Sequence, residues 1–436
     1  KAVDTIDLIK KLLDGYKLKK DEFKQIIEDA LSGKLPDVAL SAFIVRQYLK
    51  PLNIDEIAEL TIASVETGEM VDFGPNTVDK HSIGGVPGNK VTLLIVPIIA
   101  STGLKIPKTS SRSITTIGTA DTMEVLAPVE LKLDEVVEVV NKTNGCIVWG
   151  GALDIAPVDS ILIEKVEQVL CVNPVSQMIA SILAKKLAMG VKYLVLDIPQ
   201  GKGTKAETMN KAVELAKQFT DLGSRLGIRV EAAITYGDQP VGHAVGPSLE
   251  AKEALATLEG QVISTSLIEK ATGLAGILLE LTGRAAMGRG QDIAKKILSN
   301  GKALEKMKEI IEAQGGDPKI GSKDIPVGQY KADIESPVDG YIVAIDNAAI
   351  IQIARVAGAP KDKGAGLIIH KKGGRYVKKG EPLITIYSNS ESRLDKAVSL
   401  ARTLQPVIVE GMIRKRLSYT RLLEQATRDY LGFAVQ

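Results

Sequence analysis

The chain has 436 residues, 45% of them apolar and 25% charged, a balance that excludes a disordered or fibrous protein. Lys+Arg 55 against Asp+Glu 53 leaves +2, too little charge for a protein that depends on nucleic-acid phosphates. Any phosphate the chain binds must be gripped locally.

Residues 1–75 read as short helices. Ile6, Ile9, Leu12 and Leu13 share a face that ends at Gly15; Phe23, Ile26, Ile27 and Leu31 end at Gly33; Ala39, Ala42, Phe43, Val45 and Leu49 stop before Pro51. A fourth helix starts at Asn53 or Asp55 and stops near Gly68. From about Val78, apolar segments alternate with Gly-rich or Ser/Thr-rich loops and helices. The clearest unit is a strand over 192–198, a loop over 201–205, a helix turning Ala212, Leu215, Phe219, Leu222 and Leu226 inward, and a strand over 230–235. That order predicts a parallel βαβ unit, with ligand loops at the carboxyl ends of its strands. Beyond about Asp324, short strands over 340–345, 366–370 and 382–387 predict a compact β-rich domain.

Cys146 and Cys171 both sit in apolar stretches and are expected to be reduced, buried thiols. The longest apolar run, 93–100, is interrupted by Pro97 and falls short of the roughly 20 residues a membrane span needs. Lys1 leads straight into a helical pattern, so the expectation is a cytoplasmic protein, neither exported nor membrane-bound. No His/Cys/Asp/Glu cluster has metal-ligand spacing, which predicts no catalytic metal.

Two segments carry chemistry. The first is Asp79-Lys-His-Ser-Ile-Gly-Gly-Val-Pro-Gly-Asn-Lys-Val-Thr92, followed by the apolar run. Gly84, Gly85 and Gly88 let the backbone approach an anion, and the following helix offers unpaired N–H groups. Lys80, Ser82 and Thr92 add a charge and two hydroxyls. The second runs from Lys108 through Ser110, Ser111, Arg112, Ser113, Ile114, Thr115, Thr116 and Gly118-Thr119 to Glu124. An Arg offers two parallel donors to a phosphate, and hydroxyls can surround the remaining oxygens. Two anion-suited loops in one α/β unit fit a substrate with phosphate at two places. His81, beside the first loop, is expected to orient phosphate or base; His243 is assigned to a turn and His370 to a strand.

Lys-His-Ser-x-Gly-Gly-Val, then Ser-x-Arg, then Gly-Thr-x-Asp-x-x-Glu resembles the signature of the thymidine and pyrimidine-nucleoside phosphorylases. The wording Lys-His-Ser-Ile-Gly-Gly-Val-Pro-Gly-Asn-Lys, Ser-Ser-Arg and Gly-Thr-Ala-Asp-Thr-Met-Glu-Val is similar to the archaeal AMP phosphorylase branch. Trp149-Gly-Gly-Ala-Leu, Ala156-Pro, Ala180-Ser-Ile-Leu-Ala-Lys-Lys186, Gly201-Lys-Gly-Thr-Lys205 and the glycine-rich stretch 357–366 extend the likeness over essentially the whole chain.

The resemblance implies an α/β fold class: a small all-α lobe over 1–75, joined by part of 160–190; a large α/β lobe over 76–158 and 191–325; and a C-terminal β-rich, barrel-sandwich-like α+β domain over 326–436. It implies phosphorolysis of a nucleoside 5′-monophosphate, AMP and also CMP or UMP, to ribose 1,5-bisphosphate and free base. Inorganic phosphate is then a co-substrate and no cofactor is needed. Lys80, Ser82, Gly84, Gly85, Ser110 and Thr119 would hold the attacking phosphate, and residues 111–116 the nucleotide. Ser181 and Lys185, one helical turn apart, would face the base, and Lys205 the nucleotide's own phosphate. A homodimer through the helical lobe is implied as well.

The chain departs from that pattern in four places. The proton donor of the family is an Asp eight residues before the Ala-Ser-Ile serine, and counting back from Ser181 gives Asn173. An amide donates a hydrogen bond but surrenders no proton at neutral pH. Catalysis then leans on other terms, a neighbour such as Glu167 substitutes, or the natural residue was altered. The loop before Thr119 is one residue short of the family spacing, Val166 stands where the pyrimidine enzymes read the base with Arg, and the N-terminal domain of AMP phosphorylases lies outside this sequence. The alternatives are a pyrimidine nucleoside phosphorylase, a phosphoribosyltransferase of the anthranilate type, a lipoyl- or biotinyl-carrier module, and a nucleotide-binding protein impaired by Asn173.

Overall fold

The computed structural model describes residues 3–112, 116–417, 419 and 425–428. Its first four helices are α1 (Thr5–Leu13), α2 (Lys20–Leu31), α3 (Asp37–Leu49) and α4 (Ile54–Glu66). Helices α1 and α4 begin at side-chain caps, Asp4 and Asn53. Asn53, for example, accepts the Glu56 N–H at 2.8 Å while Glu56 receives the Asn53 N–H at 3.4 Å, a reciprocal cap. Their apolar faces meet around Phe23 and Phe43, which pack edge to face with centroids 6.4 Å apart.

The chain then builds β1 (Val78–Ser82), α5 (Thr92–Ala100), β2 (Ile106–Ser110), α6 (Thr119–Met123), α7 (Leu133–Thr143) and β3 (Gly145–Trp149). It returns to the first lobe through α8 (Val158–Leu162), a π turn (Ile163–Glu167), α9 (Gln168–Leu170) and α10 (Val175–Ala188). Helix α10 packs on α3 and α4, where buried Gln177 accepts a hydrogen bond from Gln47 at 3.1 Å. The βαβ unit follows as β4 (Tyr193–Gln200), α11 (Met209–Leu226) and β5 (Arg229–Tyr236).

Strands β1, β4 and β5 are parallel, as are β2 and β3, and a parallel bridge between Thr77 and Lys105 joins the two groups in the order β3-β2-β1-β4-β5. Both faces are covered. Leu194, Leu196 and Ile198 of β4 enter the core shared with the helical lobe, and Val195 enters the opposite core. That second core holds α5, whose every residue is buried, so a helix apolar on all sides lies inside the protein.

A two-residue strand, β6 (Ala244–Val245), precedes the helices α12 (Pro247–Leu258), α13 (Thr265–Leu281), α14 (Gly290–Ser299) and α15 (Lys302–Ala313). The C-terminal elements are β7 (Tyr330–Glu335), β8 (Gly340–Ile345), α16 (Asn347–Ala357), β9 (Gly366–Ile369), β10 (Tyr376–Val377), β11 (Pro382–Ser388), α17 (Glu391–Leu404) and β12 (Val407–Glu410). They form two antiparallel sheets, β6-β9-β11-β7 and β10-β8-β12, around a third core. The first sheet takes β6 from the middle of the chain, which stitches this domain to the α/β lobe.

Two expectations are corrected. Cys146 is buried, but Cys171 is exposed: with φ +53° it closes α9 at the surface, outside the core. His370 falls just after β9, where its Nε2 bonds Thr385 Oγ1 at 2.7 Å. Among the described residues, no helix is long and apolar enough to cross a membrane.

Candidate active site

Strand β1 ends in the first glycine loop, where Gly84 and Gly85 adopt φ +87° and +98°, conformations open to glycine at little cost. A Cβ on Gly85 would stand 3.0 Å from Thr204 Cα, so the loop after β1 presses directly on the loop after β4. Ser82 Oγ accepts from Asn89 Nδ2 at 3.1 Å, and Asn89 also reaches Asp197 Oδ2 at 3.3 Å. Lys80 is buried and donates to Thr92 Oγ1 at 3.1 Å. Burial, opposed by the charge of Asp197, brings its pKa down to about 8. A lysine in that state is poised to gain from an anion.

The other face of the sheet carries Asp79, which accepts its neighbour's N–H at 2.8 Å on one oxygen and Lys186 Nζ at 2.6 Å on the other. Lys108 stands against Lys186, also buried. At the carboxyl ends of β1 and β2, His81 Nδ1 and Ser110 Oγ are buried with no hydrogen-bond partner among the described residues. Buried polar atoms are nearly always paired, so these two at strand ends have hydrogen-bonding capacity to offer a bound group.

A third group comes from the returning helices. Lys185 and Asp159 form a close ion pair, and Ser181 also hydrogen-bonds Asp159. Burial works against the Asp159 charge, yet Lys185 and these bonds outweigh it and hold its pKa below the ordinary value. Glu167, on the π turn, is pushed up to about 7 by burial and by the Asp159 charge, against the pull of Lys205 and Lys185. Lys205 Nζ lies 3.6 Å from Met178 Sδ, and burial of the amine outweighs Glu167 and Asp159 in lowering its pKa. Sequence reasoning placed Ser181 and Lys185 together, gave Lys205 to a separate phosphate, and missed Asp159, whose signal was a lone acid in the apolar run Val158-Asp-Ser-Ile-Leu-Ile163.

Arg112 is held more firmly than expected. Its terminal nitrogens grip Glu124 at 3.2 and 2.7 Å, reach Asp121 at 3.3 Å and Glu130 at 2.9 Å, and the guanidinium lies 4.7 Å from the Trp149 ring centroid. Hydrogen bonds from Arg112, and then from Lys363, outweigh burial and bring the Glu124 pKa down to about 2. Ser111 is exposed, while Thr116 and Thr119 are half-buried. Ser113, Ile114 and Thr115 lie outside the described residues. Asn173 is exposed between α9 and α10. Among the described residues, no group of three or more His, Cys, Asp or Glu side chains is arranged to hold a metal.

Residues 6–68 match the helical bundle domain of a glycosyl transferase family, 74–304 its a/b domain, and 341–407 the pyrimidine nucleoside phosphorylase C-terminal domain. An AMP phosphorylase of Thermococcus kodakarensis is 53% identical over 95% of this chain and 82% of its own length. One of Methanocaldococcus jannaschii is 52% identical over the same shares, and AMP phosphorylase 1 of Archaeoglobus fulgidus is 50% identical over 94% and 81%. An anthranilate phosphoribosyltransferase from Thermus thermophilus shares the fold, with a TM-score of 0.59 and 17% identity over 71% of this chain and 99% of that one. With half its residues shared over nearly its full length, and with all three matched domains in order, the chain belongs to the AMP phosphorylase family.

Proposed function

We propose that the chain splits nucleoside 5′-monophosphates, AMP with CMP and UMP beside it, by attack of orthophosphate on C1′. The products are ribose 1,5-bisphosphate and the free base. The observation that carries this is the meeting of the two glycine loops at Gly85 and Thr204, which sets two anion cradles side by side at the carboxyl ends of neighbouring strands. A strand-end crevice of this kind is where parallel α/β sheets bind ligands.

In this account Lys80, Ser82, Gly84, Gly85, Ser110 and Thr119 hold the orthophosphate. Ser111, Arg112 and Thr116 border the nucleotide, with Arg112 acting chiefly to fix the loop. Lys205 takes the 5′-phosphate, and Ser181 and Lys185 face the base. The bond to the base breaks as the sugar gains oxocarbenium character, so a fixed anion beside C1′ stabilises the transition state, and positioning supplies much of the rest. The departing base needs a proton. Glu167, with its pKa near 7, supplies it, and Asn173 takes no part. The chain's own groups cover each step, so no cofactor is invoked. The exposed apolar residues Leu13, Tyr16, Val38 and Leu49 support a homodimer through the helical lobe, which a monomer in sedimentation would rule out.

The test is release of free base from AMP, CMP, UMP, uridine and thymidine in the presence of phosphate and without added metal. Release from the monophosphates alone supports the proposal. Release from thymidine alone would replace it with a pyrimidine nucleoside phosphorylase.

A further inference from the structure

Asn89 lies in the first glycine loop, seven residues beyond Ser82, and has no role in the site so far. Its backbone is fixed by the residue before it. Gly88 turns at φ +73°, and a Cβ there would stand 2.7 Å from the Val241 carbonyl oxygen and 2.9 Å from that of Ala244. The side chain bridges the ends of two neighbouring strands, since Ser82 of β1 lies opposite Asp197 of β4 in the parallel register. Asn89 Nδ2 donates to Ser82 Oγ at 3.1 Å and to Asp197 Oδ2 at 3.3 Å. A carboxylate only accepts, so Asp197 decides which end of the amide faces the serine. Asp197 is itself held: its Oδ1 accepts from Thr235 Oγ1 at 2.5 Å, its Oδ2 lies 3.1 Å from Lys270 Nζ, and its side chain is fully buried. Asn89 Oδ1 is buried with no hydrogen-bond partner among the described residues. Turning the amide over would put that oxygen against the carboxylate, so the nitrogen stays on Asp197 and Ser82. A serine hydroxyl has two lone pairs and one proton. The Ser82 lone pairs receive Asn89 Nδ2 at 3.1 Å and the Gly84 N–H at 3.4 Å, and among the described residues no acceptor takes its proton. With both lone pairs filled, that proton points away from the two donors.

We propose that Asn89 is a positioning residue of the orthophosphate site: anchored by Asp197, its amide fills one lone pair of Ser82 and so commits the serine proton to an oxygen of the attacking phosphate. A hydroxyl free to turn would donate elsewhere part of the time, and fixing it beforehand removes that ordering cost from binding. The inference rests on the phosphorylase account, in which Ser82 holds orthophosphate, and deepens it with two residues outside the set assigned to that phosphate.

The experiment is a double-mutant cycle read in the KM for phosphate at saturating AMP, with the parent chain, Asn89→Ala, Ser82→Ala and the double variant. Asn89→Ala should raise that KM about 10-fold in the parent and change it less than about twofold in the Ser82→Ala background. Its KM for AMP should stay within about twofold of the parent value. Thr235→Val frees one Asp197 oxygen from outside the loop, and it serves where Asn89→Ala melts below the assay temperature. It should raise the phosphate KM about 2- to 5-fold, again only while the Ser82 hydroxyl is present. An equal factor with and without that hydroxyl, or a phosphate KM that Asn89→Ala leaves unchanged, would overturn the proposal while phosphorolysis stands. A parent chain that releases no base from AMP and phosphate would remove the phosphorylase account, and this proposal with it.

Discussion

Lys363 of the C-terminal domain donates to Glu124 Oε1 at 2.7 Å, on the same carboxylate that Arg112 holds through both terminal nitrogens. One anion therefore fastens the hydroxyl-rich loop to a domain that contributes no other residue to the proposed site. With its pKa at about 2, Glu124 stays charged through the neutral range. The stability it adds is complete above the ordinary Glu value and is lost as pH falls from there through about 2.

Glu124→Gln loses the charge while keeping the size. It should raise the KM for AMP about tenfold, because the loop that borders the nucleotide is released, while the KM for phosphate moves less. Steady-state kinetics with each substrate varied in turn checks this. An unchanged KM for AMP would make the tie to Lys363 irrelevant to binding.

If Glu167 is the proton source, kcat/KM should fall on the alkaline side with an apparent pKa near 7, since the protonated carboxyl is the active form. Glu167→Gln should lower kcat by about 10²- to 10⁴-fold and abolish that limb. Asn173→Asp, at an exposed position, should change kcat by less than about threefold. A large gain from Asn173→Asp would return the proton donor to the position named by the family pattern.

The contact between the two glycine loops can be tested by one methyl group. Gly85→Ala combines φ +98° with a Cβ 3.0 Å from Thr204 Cα. It should cost about 1–3 kcal/mol of stability and raise the KM for phosphate. Gly84→Ala shares the backbone strain at φ +87° but meets open space, so its effect on phosphate should be smaller. Thermal melts and phosphate saturation curves give both numbers, and equal effects on KM would contradict the packed-loop account.

Local chemistry was what the sequence displayed. Gly84-Gly85, the helix faces ending at Gly15 and Gly33, and the strand-loop-helix order after Lys192 each declare themselves within a dozen residues, so the helices, the βαβ unit and the glycine loop could be read directly. The partners could not. Lys185 meets Asp159 across 26 residues, Lys186 meets Asp79 across 107, and Lys363 meets Glu124 across 239. Such pairings depend on which strands become neighbours, and periodicity does not encode that. Arg112 shows the same limit: its type fits phosphate recognition, but Glu124 and Glu130 occupy the guanidinium. Cys171 misled because apolar neighbours in sequence say nothing about a helix ending at the surface.

Initial rates of adenine release from AMP and from adenosine, each with and without orthophosphate, probe the paired cradles most directly. Turnover of AMP that requires orthophosphate, with adenosine slower by at least about 10²-fold, is the predicted outcome. Adenosine reacting as fast as AMP, or AMP losing its base equally well without orthophosphate, would contradict it.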